Sequence, residues 1–361
     1  MRFLKKIFIL LLLVSSFLIM QSNLLTTVAY TYAHNEISAN SYLVIERDSG
    51  RVLYEKNAYN KSFLASTTKI LTAITVIENF DINKRVKICK SSTNIEGSSI
   101  YLEEGEILTI KDLLFGLMLR SGNDCAEALA SSLCSRDEFI NLMNKKAKEV
   151  GALQSNFTNP HGLHDENHYT TAYDLALISA HAMKNEVFRE IVSTKQVRIP
   201  FTTRNTCRLL INKNKMLKSF EGCNGIKTGY TKKAGRCLVS SCLRNGMEVI
   251  CVVLNCPNMW EDSKTLLSNS FNNYKNYLLL NSNDILKFIN IENSNDKCGV
   301  YVRHNVILPL TEAEFNSLNI EFDLPNTIKK NTKKDTNIGE VKIYSKNNLL
   351  FTEKIYTIID V

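Results

Sequence analysis

Glycine and proline are scarce in this sequence, with 14 and 5 residues among 361. That scarcity excludes a collagen-like chain and a low-complexity linker protein, because both depend on these residues. The sequence has one tryptophan and 9% aromatic residues, and it lacks the interleaved basic and aromatic residues that are typical of nucleic-acid binding. The remaining composition, 44% hydrophobic and 22% charged, is typical of a globular protein of about two domains.

Acidic residues are absent from the first 33 positions, although the chain as a whole carries a net charge of +8. Three basic residues there precede an apolar run over 7–20, and small residues follow at Ala29 and Ala33. This pattern predicts a signal peptide over residues 1–33, and therefore an exported protein that is secreted or held in the cell wall. An uncleaved signal anchor in the membrane is the alternative, although the run is shorter than the roughly 20 residues of a spanning helix.

The ten cysteines include no C-x-x-C pair, so their spacing does not indicate a tight disulfide framework. Most of them lie in apolar runs, where a thiol behaves as a small buried hydrophobic group. We expect mainly buried free thiols, and the sequence leaves the disulfide state open.

Helix signals dominate the middle of the chain. From Ser66 onward, apolar residues recur with period 3.6 on one face, which predicts an amphipathic helix. Thr109, Ser135 and Thr171 each precede further helical patterns, and Ser135 forms a capping box with Glu138.

Strand signals lie on both sides of these helices. A hairpin is predicted over 41–55, and two apolar runs over 236–243 and 247–254 are joined by Asn245-Gly246, a dipeptide typical of hairpin turns.

These patterns predict an α+β domain over 34–280, closed by a helix around 260–279. Short alternating apolar runs separated by polar turns follow, and they predict a small all-β domain over 281–361.

Ser66-Thr-Thr-Lys69 is the first motif with chemical content. Because Ser66 opens the predicted helix, Lys69 lies one turn later on the same face, within reach of the hydroxyl. A serine becomes a strong nucleophile when a base accepts its proton, and a lysine can be that base if burial and nearby cations lower its pKa. A second S-x-x-K at Ser294–Lys297 lies in the β-rich tail with no helix to align it. Taken alone, Ser66 is also compatible with an ordinary helix cap.

Two further motifs follow in order. Ser121-Gly-Asn123 lies between two predicted helices, where a loop can direct short polar side chains into a cleft. Lys227-Thr228-Gly229 enters a predicted strand, which places Lys227 and Gly229 on one face and Thr228 on the other. We expect Gly229 to let a substrate backbone lie close to this strand.

The order S-x-x-K, S-x-N, K-T-G resembles that of the penicillin-recognising serine enzymes. Longer runs narrow the resemblance to the low-molecular-mass penicillin-binding proteins, the serine-type D-alanyl-D-alanine carboxypeptidases of peptidase family S11. These runs lie at 64–70, 121–124, 157–163, 169–174 and 225–231. The resemblance covers nearly all of 35–361 and implies a transpeptidase-like domain, with an antiparallel sheet and a helical cluster, before the β domain.

The resemblance also implies a reaction. Ser66 would attack the carbonyl between the two terminal D-alanines of a peptidoglycan stem peptide, with Lys69 as general base and Ser121 as proton relay to the leaving amine. Penicillin and other β-lactams would acylate the same serine, and neither a metal nor a cofactor would take part.

Substrate binding is implied in the same way. Asn123 would hold the peptide amide, and Lys227 and Thr228 would receive the terminal carboxylate, beside Gly229. The oxyanion hole would consist of the backbone N–H groups of Ser66 and Tyr230. No C-terminal amphipathic anchor is expected, because the last residues resemble a strand of the β domain.

Two other functions share part of this pattern. A class A β-lactamase shares acylation by penicillin, but it typically has S-D-N and a deacylating glutamate in an E-x-x-L-N run, which this sequence lacks. A non-catalytic peptidoglycan-binding protein would be expected to have lost Ser66 or Lys69. The sequence does not distinguish carboxypeptidase from endopeptidase activity, or a vegetative from a sporulation role.

A metal hydrolase is a further alternative, because several histidines lie close together in the sequence. His161, His164 and His168 lie near Asp165 in a loop, without the H-E-x-x-H helix pattern of zinc proteases. We expect His161 to belong to a structural turn and the other two to be surface residues. His181 lies inside a predicted helix, which disfavours a serine triad.

Overall fold

The computed structural model describes residues 37–361, so the predicted signal peptide lies outside the described residues. Within this range the chain forms nine α-helices and seventeen β-strands. Across residues 37–361, no helix is both long and apolar enough to cross a membrane.

The secondary-structure elements are numbered in chain order. The strands are β1 (Ser41–Glu46), β2 (Val52–Lys56), β3 (Arg85–Lys87), β4 (Ile107–Thr109), β5 (Gln196–Phe201), β6 (Thr206–Ile211), β7 (Cys223–Thr231), β8 (Gly235–Arg244), β9 (Met247–Leu254), β10 (Lys275–Leu280), β11 (Lys287–Ile291), β12 (Lys297–Tyr301), β13 (Val306–Leu310), β14 (Leu318–Asp323), β15 (Thr327–Ile328), β16 (Asn337–Ser345) and β17 (Asn348–Thr357). The helices are α1 (Lys69–Asn79), α2 (Ile110–Leu119), α3 (Asn123–Leu133), α4 (Arg136–Glu149), α5 (Ala172–Lys184), α6 (Glu186–Ser193), α7 (Met216–Ser219), α8 (Met259–Asn273) and α9 (Glu312–Phe315).

The main sheet is antiparallel and has the strand order β2-β1-β9-β8-β7. Every residue of β9 is buried, because the strand lies at the centre of the sheet with helices packed against it. Asn245 and Gly246 have φ angles of 50° and 77°, which is the left-handed geometry of a tight hairpin turn. The predicted hairpin is confirmed, and the motif strand β7 lies at the edge of the sheet.

Side-chain caps fix where the helices begin. Thr109 and Asp112 form a reciprocal capping box at α2, and Ser135 and Glu138 form another at α4. The hydroxyl of Thr171 accepts a hydrogen bond from the backbone N–H of Asp174 at α5. Each cap satisfies a backbone donor that the first helical turn leaves unpaired, and the predicted helix starts are confirmed.

Helix α1 is more deeply buried than its pattern predicts. All eight residues from Lys69 to Val76 are buried, whereas the sequence pattern predicts one buried and one exposed face. Of its buried polar side chains, Thr72 is accommodated by a long-range hydrogen bond that its hydroxyl donates to the Pro160 carbonyl at 2.6 Å. The helix is therefore the centre of the helical cluster.

The predicted closing helix over 260–279 is too long. Helix α8 ends at Asn273, and residues 275–280 form β10, which pairs with β13. Leu280 packs into the core of the C-terminal sheet, and this tertiary contact overrides the local pattern.

The C-terminal part is all β apart from the single turn of α9. Its six-stranded sheet has the order β14-β16-β17-β12-β11-β15, with one parallel pair, β11 with β15. It surrounds its own hydrophobic core, which includes Val300, Val341, Ile343 and Ile355. The predicted fold class, an α+β sheet-and-helix domain followed by an all-β domain, is confirmed.

All ten cysteines carry free thiols. Six of them are buried, whereas Cys89 and Cys207 are exposed. The thiols in β8 and β9 occupy core positions, which agrees with the expectation of small buried hydrophobic groups.

Candidate active site

Ser66 lies in a short 3-10 helix, Ala65–Thr68, directly before α1. The hydroxyl of Thr67 donates to the Leu64 carbonyl at 2.6 Å and tightens this turn. The helix predicted to start at Ser66 therefore begins with a 3-10 turn, and α-helical geometry starts at Lys69.

Lys69 reaches Ser66 as its spacing predicts. The Nζ atom lies 3.1 Å from Ser66 Oγ, 2.7 Å from Asn123 Oδ1 and 2.6 Å from the backbone carbonyl oxygen of His161. The side chain of Lys69 is completely buried. These contacts bring the first two motifs together around one amine.

Burial lowers the pKa of Lys69 well below its usual value, because a charged ammonium loses its hydration there. The nearby ammonium of Lys227 lowers the pKa of Lys69 further, as does that of Lys213. Both effects favour a neutral amine at this position.

The S-x-N motif occupies the junction between α2 and α3. Ser121 has a φ of 64°, a left-handed conformation that is uncommon for serine, and only 5% of its surface is exposed. Asn123 donates from Nδ2 to the Glu96 carbonyl at 2.6 Å. This bond orients the amide so that its oxygen faces Lys69.

Strand β7 brings the third motif against the Ser66 turn. A Cβ atom on Gly229 would lie 3.1 Å from the backbone nitrogen of Ser66, so only glycine fits there without a shift. Gly229 thus faces the serine turn, which differs from the expected role of admitting a substrate backbone. Lys227 is buried, whereas Thr228 is partly exposed and Tyr230 is 66% exposed, as an ideal alternating strand requires.

Lys227 is buried, and none of its contacts within residues 37–361 is with an acidic side chain. Its Nζ donates to the Thr228 carbonyl at 2.9 Å. Burial, with the nearby charge of Lys213, lowers the pKa of Lys227 to about 7. Within residues 37–361, no ion pair includes either Lys69 or Lys227.

His161 contributes through its backbone, a role that the sequence did not indicate. Its Nδ1 accepts a hydrogen bond from the Leu163 N–H at 3.1 Å, so the proton resides on Nε2, which donates to Glu127 at 3.0 Å. Burial lowers the pKa of His161. The fixed neutral ring holds the carbonyl oxygen that Lys69 contacts.

Gly162 explains why this loop can approach the serine turn. Its φ is 86°, and a Cβ atom there would lie 1.9 Å from the Ala65 carbonyl oxygen. For Gly162 the only sequence signal was the run at 157–163, which supported the family resemblance.

His168 is buried, so its predicted surface position is wrong. Its Nδ1 accepts from the Thr158 N–H at 3.1 Å, and its Nε2 lies 2.8 Å from the hydroxyl of Thr68. That hydroxyl donates to the Ala65 carbonyl at 2.8 Å, beside Ser66. Burial lowers the pKa of His168 to about 3 and keeps the ring neutral. His164, in contrast, is exposed as predicted, and its ring lies edge-on to that of Phe63.

Comparison with protein families supports the predicted resemblance. Residues 28–258 match the Peptidase_S11 family, described as D-alanyl-D-alanine carboxypeptidase. The chain belongs to this carboxypeptidase family. Residues 274–361 match the C-terminal domain of penicillin-binding protein 5, which begins beside β10.

Individual relatives agree with this assignment. The chain is 31% identical over 325 residues to the D-alanyl-D-alanine carboxypeptidase DacF of Bacillus subtilis, covering 86% of this chain and 83% of the relative. It is 32% identical over 241 residues to DacB2 of Mycobacterium tuberculosis, covering 64% of this chain and 82% of the relative. Penicillin-binding protein 5 of Haemophilus influenzae has the same fold, with a TM-score of 0.80 and 24% identity over 90% of this chain and 98% of that one.

Gly162→Ala tests the close approach of the His161 loop. The added methyl group would meet the Ala65 carbonyl and also strain a left-handed backbone. We expect the free energy of unfolding, measured by urea denaturation, to fall by about 2–4 kcal/mol. Gly105→Ala is the matched control, because Gly105 has a φ of 88° with no atom within 4 Å of the added Cβ. Equal losses in the two variants would contradict the steric explanation.

His168→Gln tests the buried neutral imidazole. The unfolded chain protonates this residue below pH 6.5, and the folded chain does so only near pH 3. Between these values the unfolded state binds more protons, so stability falls as the pH decreases. We expect the variant to lose about 1.4 kcal/mol per pH unit from the slope of unfolding free energy against pH between 6 and 4. His164→Gln, at an exposed position of the same loop, is the matched control, and an equal change of slope in the two variants would contradict the role of the buried ring.

Proposed function

We propose that the protein is a serine D-alanyl-D-alanine carboxypeptidase that removes the terminal D-alanine of peptidoglycan stem peptides through an acyl-enzyme on Ser66. The family assignment supports the activity, and the contacts of Lys69 carry the assignment of the mechanism to these residues.

The hydrogen bonds of Lys69 support a role as the base that accepts the Ser66 proton. Asn123 Oδ1 and the His161 carbonyl can only accept hydrogen bonds. A neutral amine uses its two N–H groups for these oxygens, which leaves its lone pair to accept the proton of the Ser66 hydroxyl, whose oxygen is 3.1 Å away. Lys69 can therefore take the Ser66 proton as general base.

The reaction then proceeds in two steps. Ser66 Oγ attacks the carbonyl carbon between the terminal D-alanines, and its proton passes to Lys69. The C–N bond breaks as Ser121 relays a proton to the leaving amine, while Asn123 holds the peptide amide. Free D-alanine leaves, and water hydrolyses the ester on Ser66.

The remaining motif residues bind the substrate. Lys227 and Thr228 receive the terminal carboxylate, and the backbone N–H groups of Ser66 and Tyr230 form the oxyanion hole. The contact of Gly229 with the Ser66 turn supports this arrangement, because it brings the two segments that carry these donors together.

The same proposal gives the protein its setting. Peptidoglycan lies outside the cytoplasm, so the enzyme acts as an exported protein in the cell wall or beyond it.

We place the domain division near Tyr274, between α8 and β10, a few residues before the predicted boundary at 280, since β10 pairs with β13.

Acylation by benzylpenicillin tests the nucleophile. We expect the intact mass of the purified protein to increase by one drug molecule, mapped to the peptide that contains Ser66. Ser66→Ala should abolish the adduct. Ser294→Ala is the matched control, because it removes the serine of the second S-x-x-K motif and should leave the adduct unchanged.

Each result of that experiment has a clear meaning. A persistent adduct, together with D-alanine release from a small peptide, supports the carboxypeptidase. An adduct that disappears within seconds while the drug is consumed indicates a β-lactamase. Labelling of Ser66→Ala overturns the assignment of the nucleophile, and no adduct on a folded protein favours a non-catalytic binding protein.

The buried ammonium of Lys227 predicts a pH dependence. Its pKa of about 7 means that Lys227 loses its charge, and thus its attraction for a carboxylate, as the pH rises through that value. We expect kcat/KM for a small D-Ala-D-Ala peptide to fall above pH of about 7 through an increase in KM. Lys227→Arg retains its charge and should move this limb to higher pH. An identical limb in both proteins would contradict the role of Lys227.

A further inference from the structure

Two cysteines, Cys223 and Cys242, lie opposite each other where β7 begins and β8 ends. They are directly paired in the antiparallel register of these strands. The Leu243 N–H donates to the Gly222 carbonyl at 2.9 Å, whereas the Cys223 N–H donates to the Phe220 carbonyl at 3.2 Å and not to β8. The two cysteines therefore form a non-hydrogen-bonded pair, in which Cα atoms are about 4.5 Å apart.

This arrangement suits a disulfide bond, which requires Cα atoms about 4.4–6.8 Å apart. The two thiols already share a hydrogen bond, so their sulfur atoms are neighbours. Cys251 on β9 lies two residues beyond Val249, the direct partner of Cys242. Such diagonal neighbours are about 7–8 Å apart, which is too far for a disulfide. Of these three thiols, Cys223 and Cys242 are the pair that can be joined.

An open groove gives solvent access to one of the two thiols. Its volume is about 790 Å³, and its walls include Lys195, Lys218, Glu221 and Cys223. Cys223 is partly exposed, whereas Cys242 is fully buried. A small reagent in the groove can therefore reach Cys223, while Cys242 is closed to solvent.

The two thiols also differ in acidity. The hydrogen bond with Cys242 lowers the pKa of Cys223, although partial burial opposes this effect. Burial raises the pKa of Cys242, and its hydrogen bond with Cys223 raises it further. Since the thiolate is the nucleophile in thiol–disulfide exchange, Cys223 is the thiol that reacts first.

We propose that Cys223 and Cys242 form a site of reversible oxidation, at which a small disulfide from solvent converts the two thiols into a cross-strand disulfide bond. The bond links the start of β7 to β8 and so clamps the edge strand that carries the K-T-G motif. The inference concerns the thiols and does not depend on the proposed activity. The proposed export places the chain outside the reducing cytoplasm, where disulfides persist.

Thiol–disulfide exchange balances this reaction. The Cys223 thiolate attacks one sulfur of the small disulfide, whose S–S bond breaks as a first small thiolate leaves. The Cys242 thiol then loses its proton, and its sulfur attacks the Cys223 sulfur of the mixed disulfide, so that a second small thiolate leaves. Two protein thiols are oxidised, the reagent is reduced to two small thiols, and both protons end on these thiols.

Peptide mapping after treatment with glutathione disulfide tests the proposal. The reduced, folded protein is incubated with the reagent, unfolded in N-ethylmaleimide to block the remaining thiols, and digested without reductant. We expect a peptide that joins Cys223 to Cys242 and is two hydrogen atoms lighter than its two reduced parts. The exposed Cys89 and Cys207 should carry glutathione as mixed disulfides instead. Blocked thiols at both Cys223 and Cys242, in a sample whose Cys207 has reacted, would overturn the proposal.

Single variants test the order of the two steps. Cys242→Ala removes the second thiol, so Cys223 should retain glutathione as a mixed disulfide. Cys223→Ala should leave Cys242 reduced, because that thiol is closed to solvent. Cys207→Ala is the matched control, since it removes an exposed thiol outside the pair and should leave the crosslink unchanged. Glutathione on Cys242 in Cys223→Ala would contradict the assigned order.

Thermal unfolding tests the clamp itself. Closing the short β7–β8 loop should raise the melting temperature by about 5 °C, and a dithiol reductant should reverse the shift. Cys223→Ala treated in the same way should show no shift. An unchanged melting temperature in fully crosslinked protein would contradict the clamp. These measurements require no acylation by benzylpenicillin, so failure of the clamp and failure of the proposed function are separate results.

Discussion

The burial of one amine, that of Lys69, is the constraint on which the site depends. A charged ammonium in a dry interior costs several kcal/mol unless a carboxylate compensates for the lost hydration. The hydrogen-bond partners of Lys69 are instead neutral oxygens, and Lys227 adds a repulsive charge. The structure accommodates the amine by favouring its neutral form, and a neutral amine beside Ser66 is a base.

Holding that amine requires three segments that are distant in sequence. Lys69 begins α1, Asn123 begins α3, and His161 lies in the loop between α4 and α5. The His161 loop approaches the serine turn closely because Gly162 has no side chain there, and Gly229 allows strand β7 to approach the same turn. The amine extends from the buried first part of α1. The position of the Lys69 amine therefore depends on how the helical cluster packs around α1.

Local signals predicted much of this arrangement, and non-local contacts account for the rest. The cap at Thr109 and the turn at Asn245-Gly246 each depend on a few adjacent residues, so the sequence alone predicts them. The spacing of Ser66 and Lys69 similarly places both on one turn. The carbonyl of His161 left no signal, because every residue has one and only the fold selects which carbonyl meets the amine. Residues 275–280 have a local pattern that predicts the end of a helix. They form a strand because they pair with β13, which is distant in sequence.

The protonation state of Lys69 is the most direct test of this account. The protein can be labelled with ¹³C at the lysine ε-carbons and titrated by NMR, with the Lys69 signal assigned by its loss in Lys69→Met. The account predicts a titration midpoint well below the usual value of 10.5, because burial and Lys227 both disfavour the charged form. A midpoint at or above 10.5 would show a permanently charged ammonium and contradict the assignment of Lys69 as the base.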